Sequence, residues 1–285
     1  MVLSVPLAAS LESEIAPETA AFYRRALRLL IDAEVPFLVG GAFAHACFTG
    51  IRRMTKDLDL FIRREDYDRL ESLVQDEGWR AEFTYPHWLA KVYAGDDFID
   101  LIFNSGNGLT PVDDRWFRNN REAEVLGVPV RLANVEDGLL SKAFIMERER
   151  YDGADIAHLL QAKAEELDWA SLLERFGPHW RVLLAHLVLF GYIYPGERDR
   201  VPRWVMDKLL ARLTAETVQP PPKDTHLCAG TLLSREQYLY DVEQLGYVDG
   251  RLTRVSTMTP EDVAVWTEAI FRQDDGGETK APARK

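Results

Sequence analysis

Cysteine is scarce in this chain of 285 residues: Cys47 and Cys228 are the whole supply. Two cysteines build no disulfide framework, and Cys47 falls in a stretch that reads as buried helix. Long apolar runs are missing too. None approaches the roughly 18 residues of a membrane span, so no membrane partner is expected. The opening MVLSVPLAAS lacks a basic leader and a long apolar core, so a signal peptide is not expected, and a cytoplasmic location is the simplest expectation. Positive charge is in deficit, with 34 Lys and Arg against 46 Asp and Glu, a net −12. The deficit is even along the chain: 15 basic and 21 acidic residues up to position 135, 19 and 25 after it. Neither half is a basic module, which counts against broad non-specific nucleic-acid binding but leaves a local basic patch open. Walker-type loops and serine-nucleophile motifs are absent, the six histidines fall at no metal-binding spacing, and there are no repeats or coiled-coil heptads. A hydrophobic fraction of 47% is ordinary for a globular protein, and the length suits one large domain or two ordinary ones.

What is present centres on Phe37 to Ile62, FLVGGAFAHACFTGIRRMTKDLDLFI. Val35 to Val39 reads as a buried strand. Gly40 and Gly41 follow, then a short helix over Ala42 to Phe48 that Gly50 stops. A basic turn, Arg52 to Lys56, leads into a second strand over Asp57 to Ile62. Side chains alternate along a strand, so Asp57 and Asp59 share one face while Leu58 and Leu60 point into the core. Two neighbouring carboxylates repel unless a cation sits between them. Mg²⁺ suits such a pair, because it takes hard oxygen ligands and keeps waters for a substrate phosphate. Backbone N–H groups of Gly40 and Gly41 at a helix start can form an anion site. Taken singly, Gly-Gly is usually a plain turn and Asp-x-Asp a solvated strand edge.

The conjunction is more specific. Strand, Gly-Gly, helix, Gly, then Arg53-x-Thr55-x-Asp57-x-Asp59 entering a strand resembles the signature of the polymerase-β-like nucleotidyltransferase superfamily. Its bacterial minimal branch, which includes AbiEii-type toxins and aminoglycoside nucleotidyltransferases, is the nearest in pattern. The resemblance implies an α/β (α+β) nucleotidyltransferase domain with a mixed sheet.

Around this stretch, residues 17 to 33 read as an amphipathic helix with Phe22, Leu27, Leu30 and Ile31 on one side and Arg24, Arg25 and Arg28 on the other. Asp66 to Glu77 reads as a further helix. Strands are expected over Arg80 to Phe83, Leu89 to Tyr93 and Phe98 to Phe103, with Asp96-Asp97 in the last turn. Asp100 interrupts an apolar strand, which is costly for a buried acid unless it is paired or metal-bound; an exposed edge position is the alternative. The resemblance implies that Asp100 is the third carboxylate of the metal site. Lys91 could pair with it, contact phosphate or be solvated. In the polar loop over 104–127, Asp113, Arg115, Arg118, Asn119 and Asn120 could contact a substrate or be ordinary loop residues. A strand over Val128 to Leu132 closes the first domain, 15–133.

From 134 to 272 an all-helical domain is expected. Asn134 or Asp137 caps a helix over Glu136 to Arg150, and others follow at Asp155 to Glu166, Trp169 to Phe176, Pro178 to Phe190, Pro202 to Thr214, Ser234 to Leu245 and from Thr259. Residues 273–285 have the composition of a disordered tail. Lys142, Arg148 and Asp155 resemble the lysine and acid motifs that follow the catalytic domain in AbiEii-like proteins. That resemblance implies that Lys142 approaches the triphosphate and Asp155 orients it, although the family's next acid is replaced by His158. A charged, solvated helix face is the competing reading.

The combined expectation is an enzyme that moves a nucleoside monophosphate from an NTP to an acceptor hydroxyl and releases pyrophosphate. Asp57, Asp59 and Asp100 would hold two Mg²⁺ ions; Gly40, Gly41, Arg53, Thr55, Lys142 and Asp155 would serve the nucleotide. The acceptor is open among a small cationic molecule, a tRNA and a protein. AbiEii likeness would imply a tRNA-modifying toxin with an antitoxin partner, and a non-catalytic nucleotide-binding module is the remaining alternative.

Overall fold

The computed structural model describes residues 15–52, 55, 57–221 and 225–274. Arg53 and Lys56 of the basic turn, and the tail from 275, lie outside the described residues. The first helix, α1 (Pro17–Asp32), starts on a proline with Glu18 in its first turn. Both suit a helix N-terminus, where donors are unsatisfied and the dipole is positive. Ala20, Tyr23, Ala26, Leu27 and Leu30 recur at helical spacing and are buried. Ile31, expected on that face, is instead 41% exposed.

Five strands follow: β1 (Leu38–Val39), β2 (Leu58–Phe61), β3 (Arg80–Tyr85), β4 (Leu89–Ala94) and β5 (Asp97–Ile102), with α2 (Gly41–Thr49) between β1 and β2 and α3 (Tyr67–Asp76) between β2 and β3. They form one mixed sheet in the order β1-β2-β5-β4-β3, in which only β2 and β5 run parallel. One face carries Leu58, Leu60, Ile99, Leu101, Ala90 and Val92, which pack with the buried side chains of α1 and α3 in a single core. Alternation therefore turns the residues between them to the opposite face. There, register lines up Glu82, Lys91, Asp100 and Asp59 as a polar row across four strands. Next to that row the same face turns apolar: Phe61 packs against Trp116 with the rings tilted, centroids 4.9 Å apart, in a small cluster with Leu38, Val112 and Ala133.

A hairpin, β6 (Glu122–Val125) and β7 (Val128–Arg131), forms a separate two-stranded sheet whose Val125, Val128 and Val130 pack into the same core. Only its second strand is expected from sequence; β6 is short and carries Glu122 and Glu124, so its strand pattern is weak. Helices follow: α4 (Val135–Ala143), α5 (Gly153–Lys163), α6 (Trp169–Phe176), α7 (Trp180–Ile193), α8 (Arg203–Thr217), α9 (Leu239–Glu243) and α10 (Pro260–Asp274). α4 to α8 share a second core that includes Leu140, Phe144, Leu160, Trp169, Phe176, Trp180, Leu187 and Val205. This part is not wholly helical, since Leu227–Cys228 pairs in parallel with Val248–Asp249. The chain also returns to the first core. Asn104 donates to the Thr257 hydroxyl at 2.8 Å and Asn107 to the Leu232 carbonyl at 2.8 Å, so the loop after β5 is clasped from behind. No helix among the described residues is long and apolar enough to cross a membrane.

Candidate active site

Gly40 and Gly41 sit where β1 turns over the end of β2. The Gly40 N–H donates to the Asp59 carbonyl at 2.9 Å, so it extends the sheet and is not available to a phosphate as expected. A side chain at Gly40 would stand 2.1 Å from the Phe61 ring. At Gly41, φ is +52° and a Cβ would lie 1.7 Å from Asp59 Oδ2. The Asp59 carboxylate thus lies directly against the Gly41 backbone, an approach that only glycine permits. α2 starts here, and the first N–H groups of a helix have no partner within it. Gly41 and the residues after it therefore keep the anion-binding character that the sequence suggests. Gly50 ends α2 in the left-handed region, φ 76°, as its position implies.

Asp59 and Asp100 are direct partners in the parallel β2–β5 register, on the same face. Asp57 precedes β2 and is fixed locally: the Thr55 hydroxyl donates to its carbonyl at 2.9 Å, and its N–H returns to Thr55 Oγ1 at 3.3 Å. Thr55 therefore shapes the entry to the strand with the hydroxyl that was expected at phosphate. Lys91 Nζ reaches Asp100 Oδ1 at 2.5 Å and lies 3.8 Å from the Phe98 ring centre. Of its readings from sequence, the pair with Asp100 is the one present. Asp57, Asp59 and Asp100 do not close into a set of ligand atoms within 4.8 Å of one another, as another group among the described residues does. Lys91 engages one of the three carboxylates.

The electrostatics follow. Burial, then the charges of Asp100 and Asp57, push the Asp59 carboxyl up to about 6, although Lys142 and Arg150 oppose the shift. Burial also raises Asp100, against the pull of Lys91. The Tyr23 hydroxyl, on α1, is held protonated by burial and then by Asp57, Asp97, Asp100 and Asp59. One region of the molecule therefore concentrates negative charge that its own cations do not neutralise.

The cations come from the second core. The expected helix over 136–150 stops at Ala143, whose carbonyl accepts from the buried His186 ring at 2.9 Å. Residues 147–150 then turn back: the Glu147 N–H donates to the Arg150 carbonyl at 2.8 Å, and Met146 bridges Tyr151. A continuous helix would hold positions 142 and 152 about 15 Å apart. The turn instead brings Lys142 Nζ to 3.1 Å from Asp152 and 2.8 Å from Asp155. Arg150 makes two bonds to Asp152, at 3.0 and 2.9 Å. Burial alone would raise Asp152, but these two cations hold it below the usual carboxylate range. Asp155 is buried and grips Lys142 through Oδ2, so toward a nucleotide it acts through the lysine. Sequence reasoning missed Arg150 and Asp152. It favoured Arg148; both arginines are exposed, but it is Arg150 that reaches Asp152, and the Asp152–Asp155 spacing of three at a helix start was the available signal.

Of the residues singled out from sequence, Asp57, Asp100 and Lys142 lie close enough to act on the charge of Asp59, Gly41 lies against its carboxylate and Asp155 holds Lys142, while Arg53 is outside the described residues. Asn120 is not part of this group; its side chain donates to the Trp116 and Leu132 carbonyls at 2.8 and 3.1 Å and serves the fold. Carboxylates facing one way suit hard divalent cations, and an open helix start with a held lysine suits phosphate.

Residues 21–184 match the model of a family described as uncharacterised nucleotidyltransferase. Similar solved structures include the antibiotic-resistance factor ANT(2″)-Ia, 18% identical, with a TM-score of 0.40 over 62% of this chain and 99% of that one. The lincosamide antibiotic adenylyltransferase LnuA is 16% identical, TM-score 0.38, over 52% of this chain and 99% of that one. An antigenic nucleotidyltransferase-like protein from Paracoccidioides brasiliensis is 13% identical, TM-score 0.40, over 65% and 93%. No curated protein matches the chain.

Proposed function

The chain belongs to the family of uncharacterised nucleotidyltransferases, and from that premise we propose that it transfers a nucleoside monophosphate from an NTP to an acceptor hydroxyl, with release of pyrophosphate. The observation that carries this reading is the in-register Asp59–Asp100 pair beneath Gly41, with Asp59 held up to about 6. A buried carboxylate cluster of this kind destabilises a fold unless a cation uses it.

Asp57, Asp59 and Asp100 offer oxygen donors of the type Mg²⁺ takes, the raised Asp59 fits a site short of positive charge, and these three would hold the two ions of the proposed reaction. When bound, Mg²⁺ supplies Lewis acidity for the triphosphate and for the acceptor hydroxyl. The chain's own groups do the rest. N–H groups at the start of α2 receive phosphate oxygens. Lys142, pinned by Asp152 and Asp155, and Arg150 beside it offset charge as the leaving group departs. The acceptor oxygen bonds to the α-phosphorus as the bond to the bridging oxygen breaks, and pyrophosphate leaves. The proton goes to Asp100, whose raised basicity and Lys91 pairing keep it ready and oriented. Gly40, Thr55 and Asp155 support the site from behind.

The net charge of −12 favours a neutral or cationic acceptor over a tRNA. Incubation with α-labelled NTPs, Mg²⁺ and cell lysate tests both points. Label should move into a small-molecule fraction and stay on the NTP when EDTA is added. Label in tRNA or protein would overturn the acceptor class, and no turnover of any NTP would overturn the reaction.

A further inference from the structure

A second group of ligating side chains lies one layer behind Lys142. His45 is on α2, and Asp155 and His158 are three apart on α5, one helical turn that sets them on the same face. One ligand atom from each lies within 4.8 Å of both others. His45 Nε2 is 3.9 Å from Asp155 Oδ1, and the two imidazole rings cross at 68° with centroids 6.2 Å apart. His45 and Asp155 are buried, at 5% and 6% exposure. The Nδ1 atom of His158 is also shielded from solvent, with no hydrogen-bond partner among the described residues.

The donor set chooses the ligand class. Two imidazoles and one carboxylate suit a borderline ion such as Zn²⁺, whereas Mg²⁺ and Ca²⁺ take oxygen sets. The separations are close to what such an ion needs. Ligands about 2.0–2.1 Å from zinc stand about 3.4 Å apart in a tetrahedron, so the 3.9 Å gap closes by a small rotation. The far atoms of two ligands are already held. His45 Nδ1 lies 3.3 Å from Thr49 Oγ1, which directs Nε2 inward, and Asp155 Oδ2 is held by Lys142 at 2.8 Å. Outer partners of this sort orient metal ligands.

We propose that His45, Asp155 and His158 form a site for one divalent transition-metal ion of the zinc type, separate from the Asp57–Asp59–Asp100 cluster, that ties α2 to α5. α2 carries Gly41 at its start, and Asp155 grips Lys142. An ion here fixes α2 and α5, and with them Gly41 and Lys142, relative to each other. It supports the site and takes no part in the chemistry.

The test counts metal and needs no nucleotide, so its outcome is separate from that of the transfer reaction. Chelator-stripped protein is dialysed against Zn²⁺ with excess Mg²⁺ present to occupy the carboxylate cluster. Wild type should retain about one zinc per chain, and Asp57→Asn/Asp59→Asn should retain the same amount. His158→Gln and His45→Gln should each lose affinity by roughly tenfold or more, because even outer-shell changes cost that much. A crystal of the zinc-loaded wild type, measured at the zinc edge, should show its anomalous peak among His45, Asp155 and His158. That readout holds even if a variant fails to fold. No retained zinc in wild type, equal retention in His158→Gln, or a peak at Asp57 and Asp59 would overturn the proposal.

Discussion

Replacing Asp59 with Asn should make the metal-free protein more stable, and by an amount that depends on pH. Asp59 titrates near 6 in the fold against 3.8 for the unperturbed group, chiefly from burial and then from Asp100 and Asp57. A folded-state pKa raised above the unfolded value means that the contribution of this carboxyl is most favourable below about pH 3.8. It is lost as the pH rises through about 6. The two values lie about two pH units apart, and at about 1.4 kcal/mol per pH unit the ionised form destabilises the fold by roughly 3 kcal/mol above that window. Asn fills the same space and stays neutral. Thermal melts of wild type and Asp59→Asn in EDTA should therefore coincide near pH 4 and separate by roughly 6–12 °C at pH 8, with the variant higher. Carboxylates remote from Asp59 titrate alike in both proteins and cancel in the difference, whereas the repulsion from Asp57 and Asp100 is part of the effect. Mg²⁺ should narrow the gap at pH 8 by raising wild type more than the variant. A gap that is constant with pH, or a variant less stable than wild type at pH 8, would refute the reading of Asp59 as a carboxylate that waits for a cation.

Three further outcomes follow from the geometry. Lys142→Ala should weaken binding of a non-hydrolysable NTP in calorimetry and also lower the melting temperature, since it strips a cation from Asp152 and from buried Asp155, at about 1–3 kcal/mol. Unchanged affinity would remove Lys142 from the nucleotide site. Gly41→Ala should abolish transfer while circular dichroism remains native, because a Cβ would collide with the Asp59 carboxylate in a backbone at φ +52°; retained activity would contradict that packing. Arg251→Ala should destabilise by about 3–5 kcal/mol in denaturant titration, as it leaves Asp249 buried without its bidentate partner; a loss under 1 kcal/mol, roughly the value of a surface pair, would contradict the burial.

The local features of the site were legible in the chain because they are short-range. Strand alternation puts Asp59 on the face opposite Leu58 and Leu60, and Gly40-Gly41 marks the start of a short helix. Asp100 stood out as one acid in an apolar strand, although its register against Asp59 was not legible, since β2 and β5 meet only in the fold. The stop of α4 at Ala143 was hidden by apolar spacing that continues through Phe144 and Met146; tertiary contacts from His186 and Phe176 override it. That same hidden turn is what brings Arg150 and Asp152 together beside Lys142, so beyond the Asp152–Asp155 spacing neither stands out in the chain. The Gly40 amide looked like a phosphate donor because sequence does not show that Asp59 already takes it. His45 and His158 have no meaningful spacing along the chain, so their meeting through α2 and α5 could be seen only in three dimensions.

The central claim, transfer at the Asp57–Asp59–Asp100 cluster, is tested most directly by pyrophosphate release. Wild type and the Asp57→Asn/Asp59→Asn double variant are compared side by side with each NTP, Mg²⁺ and acceptor-containing lysate. Wild type should release pyrophosphate and the folded double variant should release none above background. Equal release from the two proteins would contradict the account.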